Sequence, residues 1–237
     1  MYAEISLASV KNPEIIFEDP DIVVVNKPAG MIVHSAPGHT DCSLADCLAK
    51  SRKGMYGCGS RTRPGVVHRL DIGTSGVMVF AKTPRAYRVL REAFESHGRI
   101  RKTYLAVLHG APKAKTGRIE NTIGRKPWDS KRMAVDVPDG KRAVSEWTVL
   151  ARKSGISLVE FVIETGRTHQ IRVHAADLGC PIVGDELYGD AVKDRRLRVR
   201  PARALLHAVM LSFPHPATGK IVEFAAEPPA DIVYVMP

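Results

Sequence analysis

Short strand-forming runs recur along this chain, and they limit the possible fold more than any other feature of the sequence. The run DIVVVNKP at 21–28 is almost continuously apolar, which predicts a buried strand. Other runs predict strands at 15–18, 77–82, 102–110, 143–150, 157–164, 202–213 and 220–226, with a helix as the alternative at 202–213. Helical stretches are fewer and do not alternate strictly with the strands. The pattern therefore predicts a mixed α/β or α+β domain.

Three stretches carry helix signals. Ser43, Thr83 and Thr168 each precede residues with helical spacing, so each is predicted to be an N-cap. Gly98 is the predicted C-terminal cap of the second helix, and Gly179 is predicted to end the third.

The stretch HRLDIGTSG at 68–76 combines a charged pair with a glycine-punctuated turn. Asp71 follows Arg69 by two residues, and the apolar strand at 77–82 comes next. These residues are typical of a turn, because Asp and Ser accept backbone hydrogen bonds and Gly adopts positive φ. A neighbouring guanidinium would also keep Asp71 ionised, as a nucleophile or general base requires. From the residues alone the turn is the better interpretation.

A second basic stretch lies at 164–179, ETGRTHQIRVHAADLG. It carries Arg167, His169, Gln170, Arg172 and His174 within eight residues. A helix N-terminus flanked by arginines predicts a site for phosphate or another anion. The two histidines match no zinc motif, so no metal site is predicted. His174 falls on the apolar face of the helix and is predicted to be a core histidine.

Other candidate residues have two interpretations each. Tyr104 shares a strand face with Ala106 and Leu108, which favours a core tyrosine over a ring that stacks on a base. The basic runs at 125–132 and 193–203 are typical of solvated loops, and contact with a nucleic-acid backbone is the alternative.

Composition narrows the class of partner. The formal net charge is +10 and the isoelectric point is about 9.6, values that suit RNA, DNA or an anionic membrane. No apolar stretch approaches the roughly 18 residues that span a bilayer. Four cysteines are too few for a disulfide scaffold, and the N-terminus MYAEISLASV carries no secretory signal. These features predict a cytoplasmic protein with reduced thiols.

Four stretches together resemble the RluA-type RNA pseudouridine synthases. They are DIVVVNKPAGMIVH (21–34), HRLDIGTSGVMVFAK (68–82), KTYLAVLHG (102–110) and GRTHQIRVHAADLGCPIVGDELYG (166–189), in the family's order. The resemblance implies an α+β fold in which helices flank a largely antiparallel central sheet with a basic catalytic cleft. It also implies one catalytic domain, expected over 14–237 after a leader at 1–13. Many relatives carry a small RNA-binding domain before the catalytic one, and this sequence departs from them, since the leader is expected to be too short for such a domain.

The resemblance implies isomerisation of specific uridines in ribosomal or transfer RNA to pseudouridine, without cofactor or metal. Asp71 matches the catalytic aspartate, which either attacks the anomeric carbon or removes the 2′ proton. Tyr104 matches the tyrosine that stacks on the target base and can serve in proton transfer at carbon 5. Arg172 matches the basic partner of the aspartate, and Arg69 matches the arginine that helps to flip the nucleotide. The target must leave its stack to reach such a site.

RNA selection is then expected to come from the catalytic domain itself. Candidate segments are 35–65, 125–132 and the run at 193–203, and the predicted RNA-binding residues are Arg69, Arg167, Arg195, Arg196 and Arg198. A monomer is expected, since no long amphipathic interface helix stands out. Two other classes compete with this interpretation: an RNA-binding or chaperone module that kept the fold but lost catalysis, and a metal-dependent nuclease. The matched catalytic positions disfavour the first, and the lack of clustered carboxylate or histidine ligands disfavours the second.

Overall fold

The structure is a computed structural model that describes residues 13–35, 42–96, 99–198 and 200–235. The chain forms two compact units. The N-terminal unit comprises the described residues up to 101 together with 208–227, and the central unit comprises 102–207 and 228–235. The predicted cap Gly98 lies outside the described residues.

Strands account for most of the regular structure. The strands are β1 (Glu14–Glu18), β2 (Ile22–Lys27), β3 (Ser75–Ala81), β4 (Arg101–His109), β5 (Thr116–Arg125), β6 (Met133–Val135), β7 (Lys141–Lys153), β8 (Ile156–Ile163), β9 (Leu206–Pro214) and β10 (Ile221–Ala225). The helices are α1 (Leu44–Ser51), α2 (Pro84–Ser96), α3 (Gln170–Asp177), α4 (Ala191–Asp194) and α5 (Ala230–Val233), with a 3₁₀ helix at Lys53–Gly57. This inventory confirms the α+β class, with a sheet in which every strand register described is antiparallel.

In the N-terminal unit the strand order is β1, β2, β3, β9, β10, where β9 contributes its residues from Ala208 onward. All seven residues of β3 are buried, as are five of the six in β2, which confirms the predicted buried strand. Helix α2 adds Ala86, Leu90 and Phe94 to the core that these strands form. Burial of the strands on both faces explains why the apolar run in β2 lacks alternation.

In the central unit the order is β4, β8, β7, β5, β6, and each neighbouring pair is antiparallel. Strand β8 alternates between buried and half-buried residues, as expected for a strand with one face on the core. Helix α3 packs against β6 and β7, where Val173 joins a small core with Ile123 and Ala143.

Two strands, β5 and β6, were not predicted. The sequence of β5, TGRIENTIGR, contains few strand-forming residues, and most of its side chains are exposed or half-buried. Pairing with β7 along eight residues, from Thr116 to Ile123, holds β5 in place. Backbone pairing with a neighbour thus overrides weak local propensity.

The predicted helix caps gave different outcomes. The Ser43 hydroxyl accepts a hydrogen bond from the Asp46 N–H at 3.2 Å, and Thr83 accepts one from the Ala86 N–H at 3.2 Å, so both caps are confirmed. The prediction for Thr168 is wrong. Helix α3 begins at Gln170, and His169 is its N-cap in a left-handed conformation with φ 57°. Across the described residues, no helix is long and apolar enough to cross a membrane.

Candidate active site

The loop that carries Asp71 is fixed by one buried side chain of the N-terminal unit. Lys27, at the end of β2, has no exposed surface. Its Nζ donates to the carbonyl oxygens of Pro28 at 2.9 Å, Met31 at 2.8 Å and Ile72 at 3.2 Å. Because Ile72 directly follows Asp71, the lysine holds the loop of Asp71 through a main-chain carbonyl.

The turn after Asp71 has the features that its sequence predicts. The Thr74 N–H donates to the Asp71 carbonyl at 3.0 Å, which closes a turn. Gly76 has φ 120°, and a Cβ at this position would lie 2.2 Å from the Ala208 carbonyl oxygen. Any side chain at Gly76 would therefore push β3 away from β9. Asp71 is thus both the first residue of this turn and a half-buried acidic residue.

His68 anchors the start of the same loop. Its Nε2 accepts a hydrogen bond from the Val79 N–H at 3.1 Å, and its ring stacks on Phe94 with centroids 4.5 Å apart. A nitrogen that accepts from a backbone N–H carries no proton, so the ring is neutral with its hydrogen on Nδ1. This geometry gives His68 a structural role between β3 and α2.

Tyr104 lies in β4 of the central unit and is 8% exposed. Two residues before it on the same strand face, the buried Lys102 donates from Nζ to the carbonyl oxygens of Glu164 and Thr165, each at 3.2 Å. Burial, together with the charge of Arg167, lowers the pKa of Lys102 to about 8. Lys102 thus joins the start of the Tyr104 strand to the segment that carries Arg167.

Gln170 organises that segment. Its Oε1 accepts hydrogen bonds from the Thr165 hydroxyl at 2.7 Å and from the Arg167 N–H at 3.0 Å. Its Nε2 donates to the Val144 carbonyl at 2.9 Å and to Ser145 Oγ at 3.0 Å. Both ends of a buried amide are used, so the turn before α3 is attached to β7 by directional bonds.

His174 continues this network inside the unit. Its Nε2 lies 3.0 Å from Asn121 Oδ1, and its Nδ1 lies 2.9 Å from the Ser145 hydroxyl. The amide oxygen accepts the Nε2 proton, which leaves Nδ1 to accept from the hydroxyl. Burial lowers the pKa of His174 to about 4, so the ring is neutral near neutral pH. The prediction of a core histidine is confirmed.

Arg172 has a carboxylate partner within its own unit. Its Nε and one terminal nitrogen each donate to the Asp185 carboxylate at 2.7 Å, and its guanidinium lies 5.2 Å from the Tyr188 ring centroid. The Asp185 side chain is fully buried, and the hydrogen bonds and charge of Arg172 hold its pKa below the usual range against the opposing effect of burial. Such a two-point ion pair fixes the plane of the guanidinium.

Sequence reasoning missed Asp185. It belongs to the quoted stretch GDELYG, but thirteen residues separate it from Arg172 and no periodicity connects them. Tyr188 was also missed. Its hydroxyl accepts from the Met133 N–H at 2.7 Å and lies 2.9 Å from His169 Nδ1.

The predicted RNA-binding residues lie in different settings. Arg69 is exposed, and Arg167 is half-buried with its Nε donating to the Arg142 carbonyl at 2.8 Å. Arg195, Arg196 and Arg198 are exposed after α4.

One arginine of the basic run at 193–203 differs from the others. Arg203 is buried, and its Nε and one terminal nitrogen donate to the Asp231 carboxylate at 2.6 and 2.9 Å. Arg203 therefore stabilises the unit, and it does not form part of an exposed basic surface.

The site residues fall in both units. Asp71 and Arg69 share one loop of the N-terminal unit, whereas Tyr104, Arg167 and Arg172 belong to the central unit. Within the ranges that the structure describes, no group of three or more His, Cys, Asp or Glu side chains could hold a metal ion.

Comparison with protein families gives a match over residues 21–177 to the RNA pseudouridylate synthase family. The matched range contains Asp71, Tyr104 and Arg172.

Comparison with individual proteins also finds RNA pseudouridine synthases. An uncharacterised RNA pseudouridine synthase from Chloroflexus aurantiacus is 46% identical over 211 residues, covering 89% of this chain and 64% of that protein. Ribosomal large subunit pseudouridine synthase D from Zymomonas mobilis is 41% identical, covering 92% of this chain and 70% of that protein. The solved structure of human RNA pseudouridylate synthase domain containing 1 has a TM-score of 0.74 at 29% identity, covering 92% of this chain and 84% of that one. The chain spans about two thirds of the length of the curated relatives.

Proposed function

Since the chain belongs to the RNA pseudouridylate synthase family, we propose that it converts uridine in RNA to pseudouridine. The observation that carries this proposal is the family match over 21–177, a range that includes the proposed catalytic residues Asp71, Tyr104 and Arg172. The substrate is a structured ribosomal or transfer RNA, and the target nucleotide leaves its stack to react.

The reaction breaks the bond between the ribose anomeric carbon and N1 of uracil. The base then turns, its carbon 5 bonds to the anomeric carbon, and the proton of carbon 5 is lost while N1 gains one. Asp71 acts on the ribose, either as a nucleophile at the anomeric carbon or as the base that removes the 2′ proton.

Tyr104 and Arg172 support that chemistry in the proposal. The Tyr104 ring stacks on the target base, and its hydroxyl can take part in proton transfer at carbon 5. Arg172 is the basic partner of the catalytic carboxylate and favours its ionised form. The ion pair with Asp185 supports this role, because it holds the guanidinium in one orientation before RNA binds.

Substitution of Asp71 tests the mechanism. We expect Asp71→Asn and Asp71→Ala to abolish pseudouridine formation while RNA affinity and the unfolding transition stay unchanged. Pseudouridine is measured by chemical mapping of total RNA from cells with and without the gene, followed by assay of the purified variants on the mapped RNA. Full activity of the purified Asp71→Ala protein would refute the proposed role.

Charge reversal of the exposed basic segment tests RNA binding. Arg195, Arg196 and Arg198 are exposed and close together in the chain, which suits contacts to phosphates. We expect their combined replacement by Glu to weaken RNA binding and to flatten its dependence on salt. Charge reversal of Arg85 and Arg88, exposed on α2, together with the exposed Lys115 is the matched control, because it also reverses three charges. Equal binding by the two variants would remove the segment from the interface.

A further inference from the structure

A basic cavity of about 420 Å³ lies in the N-terminal unit next to the loop of Asp71. Three arginines line it, from three parts of the chain: Arg63 from a turn, Arg69 from the loop and Arg91 from α2. His34 and Tyr87 also line it, and among the described residues no carboxylate does. The volume falls within the range of small-ligand sites, and the lining favours an anion.

The arginines of this cavity differ in how much of their charge is neutralised. Arg91 donates from Nε to Glu95 at 3.1 Å, one turn further along α2. Arg63 and Arg69 are exposed, and within the described part of the chain neither makes a side-chain hydrogen bond or ion pair. Their positive charge is therefore available to a ligand. Guanidinium groups form two-point hydrogen bonds with phosphate oxygens, which makes a phosphate the natural partner.

An aromatic ring completes the cavity. Tyr87 lies four residues before Arg91, so the two side chains share one face of α2. Gly59, with φ 84°, supports this ring: a Cβ there would lie 3.1 Å from the Tyr87 ring and 3.1 Å from the Arg63 carbonyl oxygen. Arginines beside a positioned aromatic ring are the combination by which proteins bind single-stranded nucleic acid.

We propose that this cavity binds one nucleotide flanking the target uridine, with its phosphate at Arg63 and Arg69 and its ribose or base against Tyr87. The inference rests on the proposed function. Arg69 and Asp71 are two residues apart, so their Cα atoms lie at most about 7 Å from each other. The cavity is therefore within one or two nucleotides of the ribose on which Asp71 would act. The family resemblance assigned no role to Arg63, Tyr87 or Arg91.

The test compares two charge-matched double variants of the full chain. Arg63→Gln with Arg91→Gln removes two cations from the cavity, whereas Arg85→Gln with Arg88→Gln removes two exposed cations of α2 that do not line it. The probe is a short oligouridylate, titrated at several salt concentrations. We expect the cavity variant to lower the slope of log affinity against log salt by about 0.7, as loss of the one phosphate contact proposed for Arg63 predicts. The control should change the slope by less.

A second arm locates the phosphate. Uncharged methylphosphonate linkages are placed at one position at a time along the oligouridylate. We expect one position to weaken binding to the wild type but not to the cavity variant. Equal slopes for the two double variants, or equal sensitivity of wild type and cavity variant at every position, would overturn the proposal. Uridine monophosphate binding as tightly as the oligouridylate would assign a free-nucleotide site and overturn it too.

The outcomes separate this proposal from the function on which it rests. A wild type that forms pseudouridine while the cavity variant behaves like the control would refute the cavity site alone. A wild type that forms no pseudouridine in any RNA, but binds the oligonucleotide through the cavity, would refute the proposed function alone.

Discussion

The loop around Asp71 and the segment around Arg172 are held in place by different means. In the loop, one buried lysine contacts backbone carbonyls, and the nearby glycine is required by a close backbone approach. In the segment, side chains contact one another: Gln170 and His174 form a directed network, and Arg172 pairs with Asp185. The loop of Asp71 is thus held through main-chain atoms, whereas the segment of Arg172 is held through contacts between side chains.

The largest expected effect comes from breaking the ion pair of the Arg172 segment. Asp185→Asn keeps the shape of the side chain but replaces the carboxylate that faces a largely buried guanidinium by a neutral amide. We expect a loss of about 3 kcal/mol in the free energy of unfolding, measured by urea denaturation, and a strong loss of activity. Glu186→Gln, at the exposed neighbouring position, is the control and should change stability by less than about 0.5 kcal/mol. A stability equal to that control would refute the importance of the pair.

The second prediction breaks the loop of Asp71 instead. Lys27→Met preserves most of the side-chain volume but removes the donor to three carbonyl oxygens. We expect a loss of about 2 kcal/mol in unfolding free energy, together with reduced activity, because three carbonyl oxygens lose this donor and the bond to Met31 is buried. Lys53→Met, at an exposed position, serves as the control. If Lys27→Met unfolds at the same urea concentration as this control, the loop does not depend on Lys27.

The smallest expected effect concerns the acid sensitivity of the Arg172 segment, whose hydrogen-bond network includes the buried ring of His174. The pKa of His174 is lowered from 6.5 to about 4, so the unfolded chain binds a proton between these values that the folded chain does not. Stability should therefore fall as pH decreases from about 6.5 towards 4, by about 1 kcal/mol at pH 5.5. In His174→Gln this part of the decline should vanish. An unchanged pH profile of urea unfolding in that variant would contradict the assignment.

Local sequence signals accounted for the strands β2 and β3, for the caps Ser43 and Thr83, and for the turn after Asp71. They did not identify β5, whose polar sequence is held by pairing with β7. They also misplaced the start of α3. Thr168 has the hydroxyl that the capping rule favours, but the helix begins at Gln170, whose side-chain amide donates to β7. His169 is therefore the N-cap.

The sequence by itself determined which residues are candidates for chemistry. Asp71, Tyr104 and Arg172 stand in motifs long enough to indicate the family, and Gly, Pro and Asp mark turns because their backbone preferences are local. Only the tertiary structure decided what holds those residues. Asp185, Lys27 and Arg203 each act through a partner far along the chain or through a backbone atom, and no local pattern encodes such pairs. The same limit applies to the cavity of Arg63, Arg69 and Arg91, whose charges the fold alone brings together.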